Sequence, residues 1–489
     1  MFRRLLSTAL LTLAASAHAQ LPEAVAQLLR AANIPEGAVG VVVMRGNTTL
    51  LSEGAERSMQ PASTMKLVTT MVGLEELGPL FRGRTELRTN ADLVNGVLQG
   101  DLILRGGADA DLNADVLEHM LQALRHQGIQ KIGGDLILDR QLFQPARPDQ
   151  GVLPFDEAAE FRYNVIPDAL LLNTNLLQID LIGTGTQLKL MMLPALEKVT
   201  VGSDMKLIEA DCAKWAEGWR TPDYVRADHG ELRVMLHGTF PKNCVKSTSV
   251  NVLDRQNYAD RLFRATWRRL GGTFNGVVRE AATATTALPR MRVLTDHVAR
   301  ALPEVVRDIN KSSDNTLARL LYLSLGSLES DPVLGSVPAL LAPGASSAAR
   351  AETLVRQWLQ RHNIDDQGLV LENGSGLSRI ERIRPVQMAG LLQAASHSLW
   401  APEFLASLPI VGVDGTMRRR LRDSPAARRA RIKTGTLKNV VAIAGYVADA
   451  DGQQCVVVAM INHDLAGNGA GRAALDALIN WVAASSAVN

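Results

Sequence analysis

The sequence predicts a multi-domain α/β protein, in which a domain built on a central antiparallel sheet flanked by helices is interrupted by large strand-rich inserted domains. Three observations carry this expectation. The chain has 489 residues, more than one compact core accommodates. It opens on strand–strand–helix and closes on strand–strand–helix, and a closing unit of that kind packs beside the opening strands. Between the two, over about 82–262, the texture changes to short strands and turns, so residues 20–81 and 263–489 are expected to form one domain around an insertion.

The elements follow in order. The first residues, MFRRLLSTALLTLAASAHAQ, combine two arginines, an apolar run over about 5–15 and Ala17-His18-Ala19 before Gln20, the pattern of a cleaved signal peptide over 1–19. The apolar run is short for a membrane span, and no later segment of about 18 apolar residues predicts a transmembrane anchor. Without Arg3 and Arg4 the formal charge falls from +2 to about zero, so no global field recruits nucleic acid or an anionic membrane. The expected location is the periplasm.

AVGVVVMRGNTTLLSEG reads as two strands about a Gly-Asn turn, and 64–77 as a helix ended by Gly78-Pro79. The pentapeptide GDLIL occurs at 100–104 and at 134–138 with a helix over about 114–126 between them. That is a strand–helix–strand unit, since a solenoid needs three or more repeats. Helical texture returns near Tyr258, breaks at Lys311-Ser312-Ser313, and continues in helices over about 349–361 and 386–398. A strand pair with its hairpin turn at 449–452 and a last amphipathic helix over about 471–484 close the chain. Of the three cysteines, Cys455 lies in a strand-like run as a small hydrophobe. Cys212 and Cys244 are a candidate disulfide in an oxidising compartment, with two free thiols the alternative.

Chemistry concentrates in PASTMKLVTT, residues 61–70. Ser63 and Lys66 are spaced i, i+3, which puts both side chains on one helix face. A serine there is ordinarily a cap, but a lysine in the first turn opposes the helix dipole, so a functional reason is sought for Lys66. KSSDN places Ser313 and Asn315 at a break between helices, and RIKTGTL places Lys433-Thr434-Gly435 on a strand. Each is weak alone. In the order Ser-x-x-Lys, Ser-x-Asn, Lys-Thr-Gly they form the triplet of the penicillin-interacting serine enzymes.

The chain resembles one branch of that group. PASTMKLVTT, GDLILRGGADADL, IGGDLILD, YNVIPDALLLNTN, SDNTLARLL, NGSGLSR, DGTM and KTGTLKNVVAIAGYV are similar, in order, to segments of the penicillin-binding protein 4 type of D-alanyl-D-alanine carboxypeptidase and endopeptidase. The resemblance covers about 21–463 and includes that family's insertion between the first two motifs. It implies a penicillin-binding transpeptidase/β-lactamase-like domain, peptidoglycan stem peptides as substrate, and β-lactam antibiotics as covalent inhibitors. No cofactor or metal is expected.

The roles follow from the chemistry of a D-Ala-D-Ala bond. No histidine lies in a nucleophile–base motif, so a lysine must activate the hydroxyl. Lys66 serves as base for Ser63 if burial and the charge of Lys433 keep it neutral. The resemblance gives Ser313 the relay of a proton to the leaving D-alanine and Asn315 the holding of Lys66 or the substrate amide. Lys433, Thr434 and Thr436 suit the terminal carboxylate, with Gly435 completing the strand motif. The family's oxyanion hole maps to the N–H groups of Ser63 and Thr436, and an N–H at a helix start fits that use. Arg379, Tyr163 and Lys438 are candidate contacts to the stem peptide. Asn373 stands where the family commonly has aspartate, in a glycine turn.

Other signals fail. DADLNAD lacks the glycine and the glutamate of a calcium loop, having Ala114 and Met120 there, and is read as a helix cap. The nine histidines include no H-E-x-x-H. The basic run over 417–431 is read as a solvated loop. The alternatives are a β-lactamase, for which no deacylating glutamate is visible, and a catalytically silent wall-binding protein, against which the intact triplet argues.

Overall fold

Runs of β-branched residues build the central sheet. In the computed structural model, which describes residues 20–282, 291–339 and 344–486, VGVVVMR and TTLLSE form the antiparallel pair β1 (Val39–Arg45) and β2 (Thr48–Glu53). They turn on Gly46 at φ +52°, a left-handed conformation that glycine adopts without steric cost. The expected leader over 1–19 lies outside the described residues. At the far end of the chain come β3 (Ala430–Leu437), β4 (Val440–Ala448) and β5 (Gln454–Asn462). The sheet order is β2-β1-β5-β4-β3, antiparallel throughout, and β1 pairs with β5 with Val42 opposite Val458. The two ends of the chain thus share one sheet.

Both faces of that sheet are covered, and the period-two alternation sorts its side chains between them. Val41, Val43, Ile443 and Val457 pack under α1 (Glu23–Ala31) and the closing helix (Ala470–Ala484). Val42, Ala442, Ala444 and Val458 face a helical layer around α2 (Lys66–Glu76). Residues 66–74 of α2 are all buried, as suits a helix surrounded by others. Against it lie α3 (Leu302–Ser312) and α4 (Asn315–Leu325), then Ser347–Arg361 and Pro385–His397. Among the described residues no helix is long and apolar enough to cross a membrane.

The two GDLIL copies enter strands Leu102–Gly107 and Leu136–Asp139. These pair in parallel with Leu102 opposite Leu136, across the helix Ala114–His126 that Asn113 caps. The segment read as a failed calcium loop is therefore a cap. The sheet holding these strands has the order Val278–Glu280, Leu136–Asp139, Leu102–Gly107, Arg84–Thr89, Arg292–Val298. It continues beyond residue 262, where the sequence placed the return. The helix Arg255–Arg269 buries Tyr258, Leu262, Phe263 and Trp267 in the same core as Leu104 and Leu136, so the excursion's core and sheet run on to Val298. Helical texture near Tyr258 pointed to the peptidase domain, but packing assigns that helix to the insertion.

Among the described residues three smaller sheets complete the insertion, and Cys212, in the 3₁₀ turn Cys212–Gly218, is bonded to Cys244 on the strand Cys244–Val250. Cys455 is buried and free, as expected of a strand hydrophobe. The basic run is pinned by Met417, Ala426 and Ala430 in the core and by Arg420 pairing with Asp476, while Arg418, Arg419, Arg422 and Arg428 stay exposed.

Candidate active site

Three structural elements converge where the first strand–helix unit, the α3–α4 break and the edge strand β3 meet. Ser63 sits in a short 3₁₀ turn, Ala62–Met65, directly before α2, and no side chain caps that turn. The reading of Ser63 as a cap is thereby excluded. Ala62 has φ +47° and Ser313, between α3 and α4, has φ +60°. Left-handed backbone at non-glycine residues costs about 1–3 kcal/mol and collects at functional positions.

Lys66 is fully buried. Its Nζ lies 2.9 Å from Ser63 Oγ, 2.6 Å from Asn315 Oδ1 and 2.5 Å from the Ser375 carbonyl. Burial lowers its pKa to about 7 against the opposing charges of Glu381 and Asp314, with Arg319 lowering it further. A neutral amine fits this cage. As an ammonium Lys66 donates to all three oxygens; as a neutral amine its two hydrogens can go to Asn315 and Ser375, which leaves a lone pair facing the Ser63 hydroxyl. The sequence reading named Lys433 as the neighbour depressing Lys66. That reading also named burial, which leads in the structure; Arg319 adds to it, and Lys66 and Lys433 each disfavour a proton on the other.

Lys433 is also fully buried, and burial followed by the charge of Lys66 holds its pKa well below the usual lysine range. Its Nζ donates to Ser313 Oγ at 2.8 Å and to the Thr434 carbonyl at 2.7 Å. Strand alternation explains the placement, because Lys433 and Gly435 point to the helical face opposite Ala444 and Ala442. A Cβ on Gly435 would stand 2.7 Å from the Pro61 carbonyl and 3.0 Å from Ser63 N, so only glycine lets β3 lie against the Ser63 turn.

β3 is the edge of the sheet. Ile432 N–H points away from β4, to the Pro409 carbonyl at 2.8 Å. Alternation along the strand turns the N–H groups of Thr434 and Thr436 to the same open edge, beside Ser63. Thr434 Oγ1 donates to Thr416 Oγ1 at 2.8 Å. Thr436 and Lys438 are exposed.

The remaining candidates lie further out. Asn315 Nδ2 donates to the Tyr163 carbonyl at 3.1 Å, so Tyr163 meets the centre through its backbone. Its hydroxyl donates to Asp156 at 2.8 Å, and burial with that carboxylate pushes the phenol up to about 12. Arg379 donates to the Phe155 carbonyl at 2.7 Å and lies over the Phe155 ring. Arg379 lines a cavity of about 910 Å³ behind loop 372–380, whose walls include Arg319 and Tyr322 but none of Tyr163, Ser63, Lys66, Ser313 or Lys433.

The D-Ala-D-Ala carboxypeptidase 3 (S13) family matches residues 21–485. The chain belongs to that family. It is 27% identical over 446 residues to the D-alanyl-D-alanine carboxypeptidase DacB of Haemophilus influenzae, covering 88% of this chain and 86% of the relative. It is 29% identical over 434 residues to the D-alanyl-D-alanine carboxypeptidase of Actinomadura sp. strain R39, covering 86% and 77%. Its fold matches the crystal structure of penicillin binding protein 4 from H. influenzae with a TM-score of 0.74 and 25% identity, over 94% of this chain and 99% of the other. The same protein complexed with a novel β-lactam matches at 0.69 and 26%, over 93% and 97%. The expected architecture, a transpeptidase-like domain with strand-rich insertions, therefore holds, and family membership makes the protein a serine-type D-Ala-D-Ala peptidase.

Sequence reasoning missed Ser375, Thr416, Arg319 and Glu381. Ser375 acts through a carbonyl, which any residue has, and Thr416 lay in DGTM without a role. Glu381 and Arg319 carry no spacing signal, because only burial distinguishes them.

Proposed function

We propose that the protein is a periplasmic D-alanyl-D-alanine carboxypeptidase that also cleaves D-alanyl cross-links of peptidoglycan, through an acyl-enzyme on Ser63. The observation that carries this reading is Lys66 Nζ, buried and 2.9 Å from Ser63 Oγ, with its other partners neutral oxygens. Lys66 takes the hydroxyl proton as Oγ bonds to the scissile carbonyl carbon. The N–H groups of Ser63 and Thr436 receive the developing oxyanion. Ser313, hydrogen-bonded to Lys433, delivers a proton to the amine of the leaving D-alanine as the C–N bond breaks. Lys66 restores the Ser313 proton and is neutral again; water then attacks the ester carbonyl, its proton passing through Lys66 to Ser63 Oγ as the acyl C–O bond breaks, which frees the acid and leaves Lys66 a neutral amine.

Lys433, with Thr434, Gly435 and Thr436 on the open strand edge, binds the terminal carboxylate. Thr416 orients the Thr434 hydroxyl. Arg379, Tyr163 and Lys438 contact the stem peptide beyond the scissile bond. A cross-link presents the same D,D-bond with a longer acceptor, so the same groups cut it. β-Lactams acylate Ser63 in the same way, and the ring-opened amine stays tethered, which blocks the water; the β-lactam complex of the H. influenzae relative supports this. Glu381, a buried acid whose charge reaches Lys66, has both oxygens occupied by backbone N–H groups. It is thus unavailable to activate a deacylating water, which favours a peptidase over a β-lactamase.

The test is Ser63→Ala. Loss of D-alanine release from stem pentapeptide, of the order of 10⁶-fold in kcat, together with loss of the penicilloyl mass adduct, is expected. A penicilloyl adduct on the Ser63→Ala protein sinks the assignment.

A further inference from the structure

Loop 372–378 carries no residue of the three motifs, yet its Ser375 carbonyl is one of the three partners of Lys66. A buried acid holds that loop. Glu381 is 1% exposed. Its Oε1 accepts the N–H groups of Glu372, Asn373 and Gly374 at 3.2, 2.9 and 2.8 Å, and its Oε2 accepts that of Gly376 at 2.9 Å. On the loop's other side a Cβ on Gly376, at φ +78°, would fall 1.8 Å from the Ala62 carbonyl, and Thr69 Oγ1 donates to the Gly374 carbonyl at 2.6 Å. The loop is wedged between the Glu381 carboxylate and the nucleophile turn.

Among the described residues no basic side chain forms a hydrogen bond or ion pair with the Glu381 carboxylate, Arg382 Nη1 donating instead to its backbone carbonyl at 2.9 Å. Its charge acts through space on Lys66 and on the buried Arg319, with Glu372 and Tyr322 also within electrostatic reach. Lys66 is faced in addition by Asp314, Arg319 and Lys433. Four N–H groups converging on two oxygens leave no acceptor for a carboxyl proton, so this geometry selects the carboxylate although burial raises its pKa.

We propose that Glu381 is a positioning residue for acylation: its carboxylate clamps loop 372–376 so that the Ser375 carbonyl meets Lys66, and its negative charge acts on that lysine. The proposal rests on the reading of Ser63 and Lys66 given above. It separates two contributions, geometry and charge, that different variants remove.

The experiment measures penicillin acylation at Ser63 by mass and D-alanine release as functions of pH, in the wild type, Glu381→Gln and Glu381→Asp. Glu381→Gln keeps the size, removes the charge and turns an amide N–H₂ toward N–H donors. Its plateau is expected to fall about tenfold or more, and its rising limb to move to lower pH, because an anion favouring protonated Lys66 is gone. Glu381→Asp keeps the charge one methylene short, so its plateau falls and its limb stays. A purely structural role would lower the folded fraction in both without moving either limb. An unmoved limb in Glu381→Gln overturns the proposal, and if that variant does not fold, a wild-type plateau in Glu381→Asp does so. Absence of a Ser63 adduct in the wild type sinks the functional reading instead, so the two failures are distinguishable.

Discussion

Two buried cations, one in the insertion and one in the peptidase domain, meet opposite surroundings. Arg140, 1% exposed, donates to Asp168 at 2.9 Å and to Glu280 at 2.7 Å, and Arg255 donates to the same Asp168 at 2.7 Å. Lys66, 0% exposed, finds among the described residues only a hydroxyl, an amide oxygen and a carbonyl within hydrogen-bond distance. A buried charge matched by carboxylates remains a charge and ties segments together. A buried ammonium given neutral acceptors sheds its proton near neutral pH and becomes a base. The difference teaches that burial beside neutral oxygens, without a direct counter-ion, lowers the Lys66 pKa to about 7, and on the proposed mechanism this is what lets it act as base for Ser63.

The comparison breaks most sharply at Lys66. Lys66→Arg keeps a cation that cannot deprotonate, so acylation should fall by about 10²–10⁴-fold at every pH below 10. The wild type, in contrast, should gain kcat/KM as pH rises through about 7, because the neutral amine accumulates there. Stopped-flow acylation by a chromogenic β-lactam checks both, and a Lys66→Arg enzyme with the wild-type profile would place the base elsewhere.

Asp168 probes the opposite case. Asp168→Ala leaves Arg140 and Arg255 buried without their shared carboxylate, and should cost about 3–5 kcal/mol in urea unfolding. The acylation rate of the molecules that remain folded should stay as it was. A variant of full stability would mean that Glu280 and Asp149 already suffice for the two arginines.

Gly435→Ala tests the close approach between β3 and the Ser63 turn. A Cβ pressed against Pro61 and Ser63 moves β3 from the nucleophile, lowering kcat/KM by about 10²-fold. Unfolding should cost only about 1–3 kcal/mol, as for overpacking elsewhere. Equal losses of activity and folded protein would reduce Gly435 to a packing residue.

The smallest effect on acylation concerns Cys212–Cys244, which closes 32 residues within the insertion. Replacing both with serine should lower stability by about 3–4 kcal/mol at most by loop entropy, read as a shift in thermal unfolding, with Ser63 acylation unaltered. Slower acylation would reveal coupling between the insertion and the site.

Much of this was legible in the chain. Ser63, Lys66, Ser313, Asn315 and Lys433 stand in motifs whose order and local elements the sequence displays, and the GDLIL repeat announced its parallel pair. Less legible was the end of the insertion, because the helix Arg255–Arg269 is amphipathic wherever it packs, and only its partners show which core it joins. The same holds for Ser375, whose contribution is a backbone carbonyl, and for Glu381, which looks like any acid in a charged stretch.

By itself the sequence determined the family, the order of the motifs and the chemical types present, because side-chain identity and local periodicity are properties of short stretches. Tertiary structure decided the state of those groups. The proton on Lys66, the orientation of β3's open edge and the clamp at Glu381 depend on residues some 250 to 370 positions apart being packed dry against each other, and desolvation exists only once they are.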